Sequence, residues 1–256
     1  MKVISVSNQK GGVAKTTTVI NLSAALTILG RRVLTIDMDP QAHLTSGLNK
    51  KRSFEKSIYD ILVAEYPLRN AILKTEWNNL DLIPSSIALA NAEIELSQMV
   101  GRETVLKSAI EEANIENDYD FVFIDTGPNL GNLTLNAFAA ANSLIVPIEP
   151  EMFALEGVEH LVKIIGLVRK KINKNLEIEG VLLTKVNPRT NIAKEFTQAI
   201  NEIFKDKMFN TIINQNVKIA EAQSSRQPVV FYDKEAKGSL QYIELAKELI
   251  ARSITH

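Results

Sequence analysis

Two lysines, two glycines and three threonines are packed into nine positions, Lys10-Gly11-Gly12-Val13-Ala14-Lys15-Thr16-Thr17-Thr18. Glycines let a chain turn tightly and come close to an anion. The first amides of a helix point together with the positive end of its dipole. Such a loop suits a polyphosphate. Amides from Gly11 to Thr16 would meet its oxygens, Lys15 would neutralise the outer phosphates, and the Thr16 hydroxyl would take a magnesium position. Thr17 would add an inner-phosphate contact. Carboxylates fit for the same chemistry stand at Asp37-Met38-Asp39 and at Asp125. An apolar strand ended by an acid, as at Phe121-Val-Phe-Ile-Asp125, holds magnesium through water, and the loop after it senses a γ-phosphate. One acid suffices for the metal, which leaves another to orient an attacking water.

These groups need strands to carry them. Lys2 to Ser7 is a short β-branched run that feeds the loop, and Val19, Ile20, Leu22, Ala25, Leu26 and Leu29 give the next segment helical spacing before Gly30 closes it. Further strands are expected at 32–37, 80–83, 119–125, 143–147 and 180–184. Helices are expected at 57–64, 87–100, 103–113, 133–141, 153–172, 191–204 and 239–251. The stretch 43–56 is polar, includes Lys50-Lys51-Arg52, and reads as a solvated loop. Six strands alternating with helices specify an α/β fold, a doubly wound and mostly parallel sheet with one nucleotide site. Neither a repeat nor a linker divides residues 1–256, so one domain is expected.

With 45% hydrophobic and 23% charged residues the composition is that of a globular protein. The absence of cysteine removes disulfides, zinc thiolates and iron–sulfur ligation together, and agrees with the cytoplasm. Met1 leads straight into a strand with no room for a signal peptide, and no apolar run approaches a membrane span. Net charge is −1 but unevenly spread: residues 1–158 carry 13 Lys/Arg against 19 Asp/Glu, whereas residues 159–237 carry 14 against 9. The second half therefore offers a basic surface.

The usual phosphate-loop pattern fails here, because Gln9 and Ala14 stand where its two glycines belong. What remains, Lys-Gly-Gly-Val-Ala-Lys-Thr-Thr with Lys10 at its head, resembles the deviant Walker A signature of the ParA/MinD family of dimeric P-loop ATPases. In that family the leading lysine reaches across an interface to the partner's nucleotide. Ala14 is expected to be tolerable only at a helical, negative φ. Asp37-Met-Asp39-Pro-Gln resembles the family's switch I. By that match Asp39 is expected to activate water and Asp37 to lie nearer the metal. Gly127 replaces the first of two prolines usual in switch II, which bears on the rigidity of that loop. Thr184-Lys185-Val-Asn187 looks like a guanine-reading motif, but an amide at its last position cannot offer guanine two acceptors, which favours adenine. Asn214-Gln-Asn216 resembles the family's loop beside the adenine, with Asn214 and Gln215 in place of Pro-Arg. Leu-Thr-Leu-Asn-Ala at 133–137 and Phe-Ala-Leu-Glu-Gly at 153–157 resemble the partition branch, ParA/Soj-type ATPases of the short kind.

That resemblance implies ATP and Mg2+ as cofactors, an ATP-dependent homodimer, non-specific binding to duplex DNA, and slow hydrolysis stimulated by a ParB-like adaptor. A cytoplasmic, nucleoid-associated location follows. Lys185, Arg189, Lys194, Lys218, Arg226, Lys234 and Lys237 are the candidate phosphate contacts. A MinD-type membrane-cycling ATPase would need an amphipathic, lysine-rich carboxyl-terminal segment. Here Tyr242, Ile243, Leu245, Ala246, Leu249 and Ile250 have core-helix spacing, and Arg252 to His256 is too short to anchor. An ATPase that positions protein cargo, and a small-molecule kinase or ligase, are further readings.

Overall fold

The computed structural model describes residues 1–51, 53–151, 154–189 and 191–254, with side chains omitted at 154–159, 191–195 and 254. Arg52, Phe153 and the side chain of Lys194, each singled out above, lie outside the described residues. Strand β1 (Lys2–Val6) leads through the glycine loop into α1 (Lys15–Ile28). Next come β2 (Val33–Met38), α2 (His43–Leu48), α3 (Ile58–Ala64), a two-residue strand β3 (Leu73–Lys74) and β4 (Leu80–Ile83). Helices α4 (Leu89–Ser97) and α5 (Val105–Ala113) precede β5 (Phe121–Thr126), α6 (Asn132–Ala140) and β6 (Ser143–Ile148). The remainder is α7 (Ala154–Lys171), β7 (Glu177–Leu183), α8 (Asn191–Phe204), α9 (Val217–Ser224), α10 (Val229–Tyr232) and α11 (Lys237–Ile254).

The strands form one sheet in the order β3-β4-β2-β5-β1-β6-β7, parallel throughout except for β3 against β4. Its strands read as nearly unbroken apolar runs because helices cover both faces. Ile4, Val6, Phe123 and Ile145 pack with α1, α2, α10 and α11 on one side. Val3, Ile36, Ile124 and Val146 pack with α3 to α8 on the other.

Three expectations are corrected. The stretch 43–56 is no plain loop: it contains α2, whose Leu44 and Leu48 are fully buried. Glycine at 47 lets Ile20 close on the helix, since a Cβ there would lie 2.5 Å from Ile20 Cδ1 and push that side chain aside. Lys50 is bonded to Glu76 at 2.7 Å and lies 5.5 Å from the Trp77 ring centre. The sheet has a seventh strand, β3, because two residues are too few to display a period. Finally, α1 is buried almost all round rather than on one stripe, since α10 and α11 cover its outer side. Two of its buried polar residues find partners there: Asn21 Oδ1 accepts from the Val229 amide at 2.7 Å, and Ser23 Oγ donates to the Val19 carbonyl at 2.6 Å.

Candidate functional site

Placing β5 between β1 and β2 brings the chemistry together. Val6 and Asp37 both pair in register with Asp125, so the glycine loop, the Asp37–Pro40 turn and the segment after Asp125 open at one edge of the sheet. A cleft of about 650 Å³ lies there, lined by Gly11, Gly12, Lys15, Thr16 and Thr17 on one wall and by Asp39 on the other.

Lys15 is the buried cation of the cleft, 8% exposed, and its Nζ donates to the Lys10 carbonyl at 3.0 Å. Burial holds its pKa below the usual lysine value, while Asp125 and Asp39 pull it back up. Asp125 is fully buried, and neither carboxylate oxygen has a hydrogen-bond partner among the described residues. Burial drives its pKa well above the ordinary carboxylate range and the charges of Asp37 and Asp39 add to this, with the Thr16 hydroxyl and Lys15 opposing. A buried, unpartnered carboxylate beside a threonine hydroxyl is a fit for a hydrated Mg2+. No cluster of three His, Asp or Glu among the described residues could hold a metal unaided, so phosphate oxygens and water would complete the shell of an ion held here.

Asp37 is placed differently. Its Oδ2 accepts from the Thr45 amide at 2.8 Å and the Thr45 hydroxyl at 2.6 Å, and its Oδ1 accepts from the Asp39 amide at 3.2 Å. Burial still raises its pKa to about 6. Asp37 thus organises the turn with both oxygens engaged. Asp39 is half-buried at the cleft wall, with Oδ1 accepting from the Gln41 amide at 2.9 Å. The two switch segments touch: a Cβ on Gly127 would lie 3.4 Å from Asp39 Cγ, so glycine leaves the carboxylate room.

Ala14 overturns one expectation. It sits at φ 66°, ψ 32°, in the left-handed region and not at a negative φ, because the chain must reverse there to start α1. Ala14→Gly is therefore expected to stabilise the protein by about 1 kcal/mol, raising the melting temperature by roughly 2 °C. A lower melting temperature would show that the left-handed turn costs nothing.

A family model described as an AAA domain matches residues 1–178. The chain is 44% identical to the sporulation initiation inhibitor protein Soj of Bacillus subtilis over 251 residues, 98% of each chain. It is 42% identical to the chromosome partitioning protein ParA of Caulobacter vibrioides over 253 residues, 98% of this chain and 95% of that one. It belongs to the ParA/Soj branch of the ParA/MinD family. Among solved structures, the Mycobacterium smegmatis protein described as a cobyrinic acid a,c-diamide synthase, with bound ADP and magnesium, is 33% identical, with a TM-score of 0.86 and coverage of 100% and 96%. As a P-loop member of this family the chain is an ATPase, with ATP and Mg2+ as cofactors.

Other residues carried over from the ParA/MinD pattern are scattered. Lys10 does not line the cleft; its amine is ion-paired with Glu151 at the rim. Lys185 does line it, at φ 51°, and its Nζ bonds Glu149 at 3.1 Å. The remaining three residues expected beside the adenine have structural partners. Asn187 Oδ1 accepts from the Arg189 amide at 3.2 Å. Asn214 donates to the Val186 carbonyl at 3.2 Å and exchanges hydrogen bonds with Gln241. Asn216 caps α9, accepting from the Lys218 amide at 2.8 Å.

Residues not assigned to the nucleotide from the sequence complete the lining. His43, Gln223 and Arg226 line the cleft, and Gln223 Nε2 donates to Thr17 Oγ1 at 2.8 Å. Arg226, expected at DNA, is half-buried here instead, its backbone at φ 53°. Its backbone conformation marks it, but only once the fold is known. Arg189, Lys234 and Lys237 are exposed as expected. Lys218 is exposed but bonded to Glu221 at 2.8 Å, and lies 5.9 Å from the Tyr232 ring centre.

Proposed function

We propose that residues 1–256 act as one P-loop domain that dimerises around Mg-ATP, binds duplex DNA without sequence preference as the ATP dimer, and releases it on hydrolysis. Chromosome or plasmid partition is the function this serves, in line with the names of its Soj and ParA relatives. The observation that carries the reading is the divergence of two lysines from one loop. Lys15 is buried in the cleft, while Lys10 stands outside it, half-exposed, on Glu151. A cation held outside its own cleft by a half-exposed ion pair is placed to exchange that partner for a facing nucleotide. Losing the γ-phosphate would then remove charge-assisted contacts across the interface and loosen the dimer.

Within this reading Gly11 to Thr17 bind the phosphates, Thr16 and Asp125 hold the magnesium and its water, and Asp39 orients the attacking water. Asp37 supports the turn that carries Asp39. Lys185 and Arg226 belong to the nucleotide side, which leaves Arg189, Lys194, Lys218, Lys234 and Lys237 for DNA phosphates. Ten such contacts in a dimer would weaken DNA binding roughly 10⁵-fold between 50 and 200 mM salt. A ParB-like adaptor would accelerate a slow basal turnover. The location is the cytoplasm, at the nucleoid.

A MinD-like membrane cycle is disfavoured, because Tyr242, Leu245, Ala246 and Leu249 of α11 are fully buried and cannot lie on a bilayer. No helix among the described residues is long and apolar enough to cross one. Sedimentation velocity with random duplex DNA tests the proposal. ATP is expected to convert the wild type to a dimer that co-sediments with DNA, and Lys15→Ala is expected to stay monomeric and unbound. Equal DNA binding without nucleotide would overturn it.

A further inference from the structure

Helix α6 has no cap of its own. Its N-cap residue is Gly131, and its first free amides are taken up from α4 instead. Glu93 Oε2 accepts from the Asn132 amide at 2.8 Å and Oε1 from the Leu133 amide at 3.2 Å, while the Asn132 side chain donates to the Glu93 carbonyl at 3.0 Å. A carboxylate in that place also meets the positive end of the helix dipole. The contact explains Gly131, since a Cβ there would lie 2.4 Å from Glu93 Oε1. Switch II, which runs from Asp125 past Gly127 to Gly131, is therefore pinned at its far end by α4.

The segment that leads into α4 is tied to switch I. Ser85, just past β4, donates from Oγ to the Asp39 carbonyl at 2.8 Å and from its amide to Thr45 Oγ1 at 2.8 Å. Thr45 in turn holds Asp37. Ser85 and Glu93 are eight positions apart, so one short segment, a turn running into the first residues of α4, grips the water-orienting turn at one end and the γ-phosphate sensor at the other.

We propose that the segment from Ser85 to Glu93 is a strut that fixes the two switches relative to each other, and that Glu93 is its positioning residue. It is not among the residues that line the cleft; it acts through the backbone of residues 126–133. The consequence for turnover rests on the ATPase reading above. In the nucleotide-free state the clamp presets the loop. When ATP arrives, residues 126–130 close on the γ-phosphate from a fixed anchor, and their approach to Asp39 is registered through the same Ser85–Glu93 segment.

Hydrogen exchange with and without Mg-AMPPNP, together with steady-state hydrolysis, tests this. In the wild type the analogue is expected to protect both residues 11–17 and 126–133. Glu93→Ala should keep the first protection and lose the second, with kcat about tenfold lower and KM for ATP changed less than about twofold. Glu93→Gln retains an acceptor oxygen for one amide and should restore most of both. Gly131→Ala should mimic Glu93→Ala, and the double variant should be no worse than either, because removing the carboxylate makes room for the methyl. Unchanged kcat and unchanged protection at 126–133 in Glu93→Ala would make Glu93 a structural cap only and overturn the proposal. Strictly additive losses in the double variant would do the same. Absence of protection at 11–17 in the wild type would instead remove the nucleotide reading, and the proposal with it.

Discussion

Asp39→Ala is expected to bind Mg-ATP as the wild type does, to hydrolyse it about 10³-fold more slowly, and to accumulate as a dimer that does not part. The asymmetry follows from where the residue stands. In the proposed reading nucleotide binding rests on Lys15, Thr16 and the loop amides, which line the cleft together with Asp39 but belong to a different segment. Asp39 is half-buried, steadied by the Gln41 amide, and has Gly127 beside it, so its carboxylate has room for a water without a competing side chain. Positioned acid–base groups contribute roughly 10²–10⁴ in rate, and little of that comes from ground-state binding. Single-turnover phosphate release and sedimentation in ATP measure the two halves separately. Hydrolysis at the wild-type rate would move the water-orienting role elsewhere, Gln41 and His43 being the other polar groups of that wall.

Asp125→Asn is expected to act in opposite directions on stability and on function. In the nucleotide-free protein both oxygens of Asp125 are buried without partners, beside Asp37 and Asp39, and its pKa lies well above the unfolded value. The folded state therefore holds the proton more tightly than the unfolded chain. The stability this group contributes is present below the unfolded pKa and is lost as pH rises through the folded one. Asparagine carries no charge to bury, so the variant should be more stable by about 2 kcal/mol at pH 8, some 4 °C in melting temperature, with a smaller gain at pH 5. Asp37, at about 6, stands beside Asp125 and titrates together with it, so the difference between the two proteins reports the pair of carboxylates.

Mg-ATP should reverse the order. A divalent ion would stabilise the ionised carboxylate of the wild type, whereas the variant would bind the ion weakly and hydrolyse about 10²-fold more slowly. Thermal melts at pH 5 and pH 8, with and without Mg-ATP, check both signs. A variant less stable than wild type at pH 8 without nucleotide would mean that the carboxylate is satisfied in solution and that the metal assignment lacks its physical basis.

Sequence alone determined the local parts of this protein. A β-branched run, a glycine pair and Lys15-Thr16 can form little other than a strand, a phosphate loop and a helix, because backbone sterics and helix-end amides act within a few residues. Asp39 and Asp125 were legible because a strand ends where its apolar run ends, and the edge of a parallel sheet is where ligands meet it. The apolar spacing of α11 likewise marked it as core.

Tertiary structure decided whatever depends on what faces what. Helix α2 hides in a polar stretch because Leu44 and Leu48 need only one buried side, and Gly47 allows Ile20 to close on it. Asp37 became a support once Thr45 reached its carboxylate, and Asn214 and Asn216 became a bridge and a cap. Arg226 moved from the DNA list to the cleft because the turn after α9 folds back beside Thr17. Ala14 adopts a positive φ because the loop must reverse at that residue whatever occupies it. Glu93 finds its amides 39 and 40 positions away, a pairing that no window of sequence could contain.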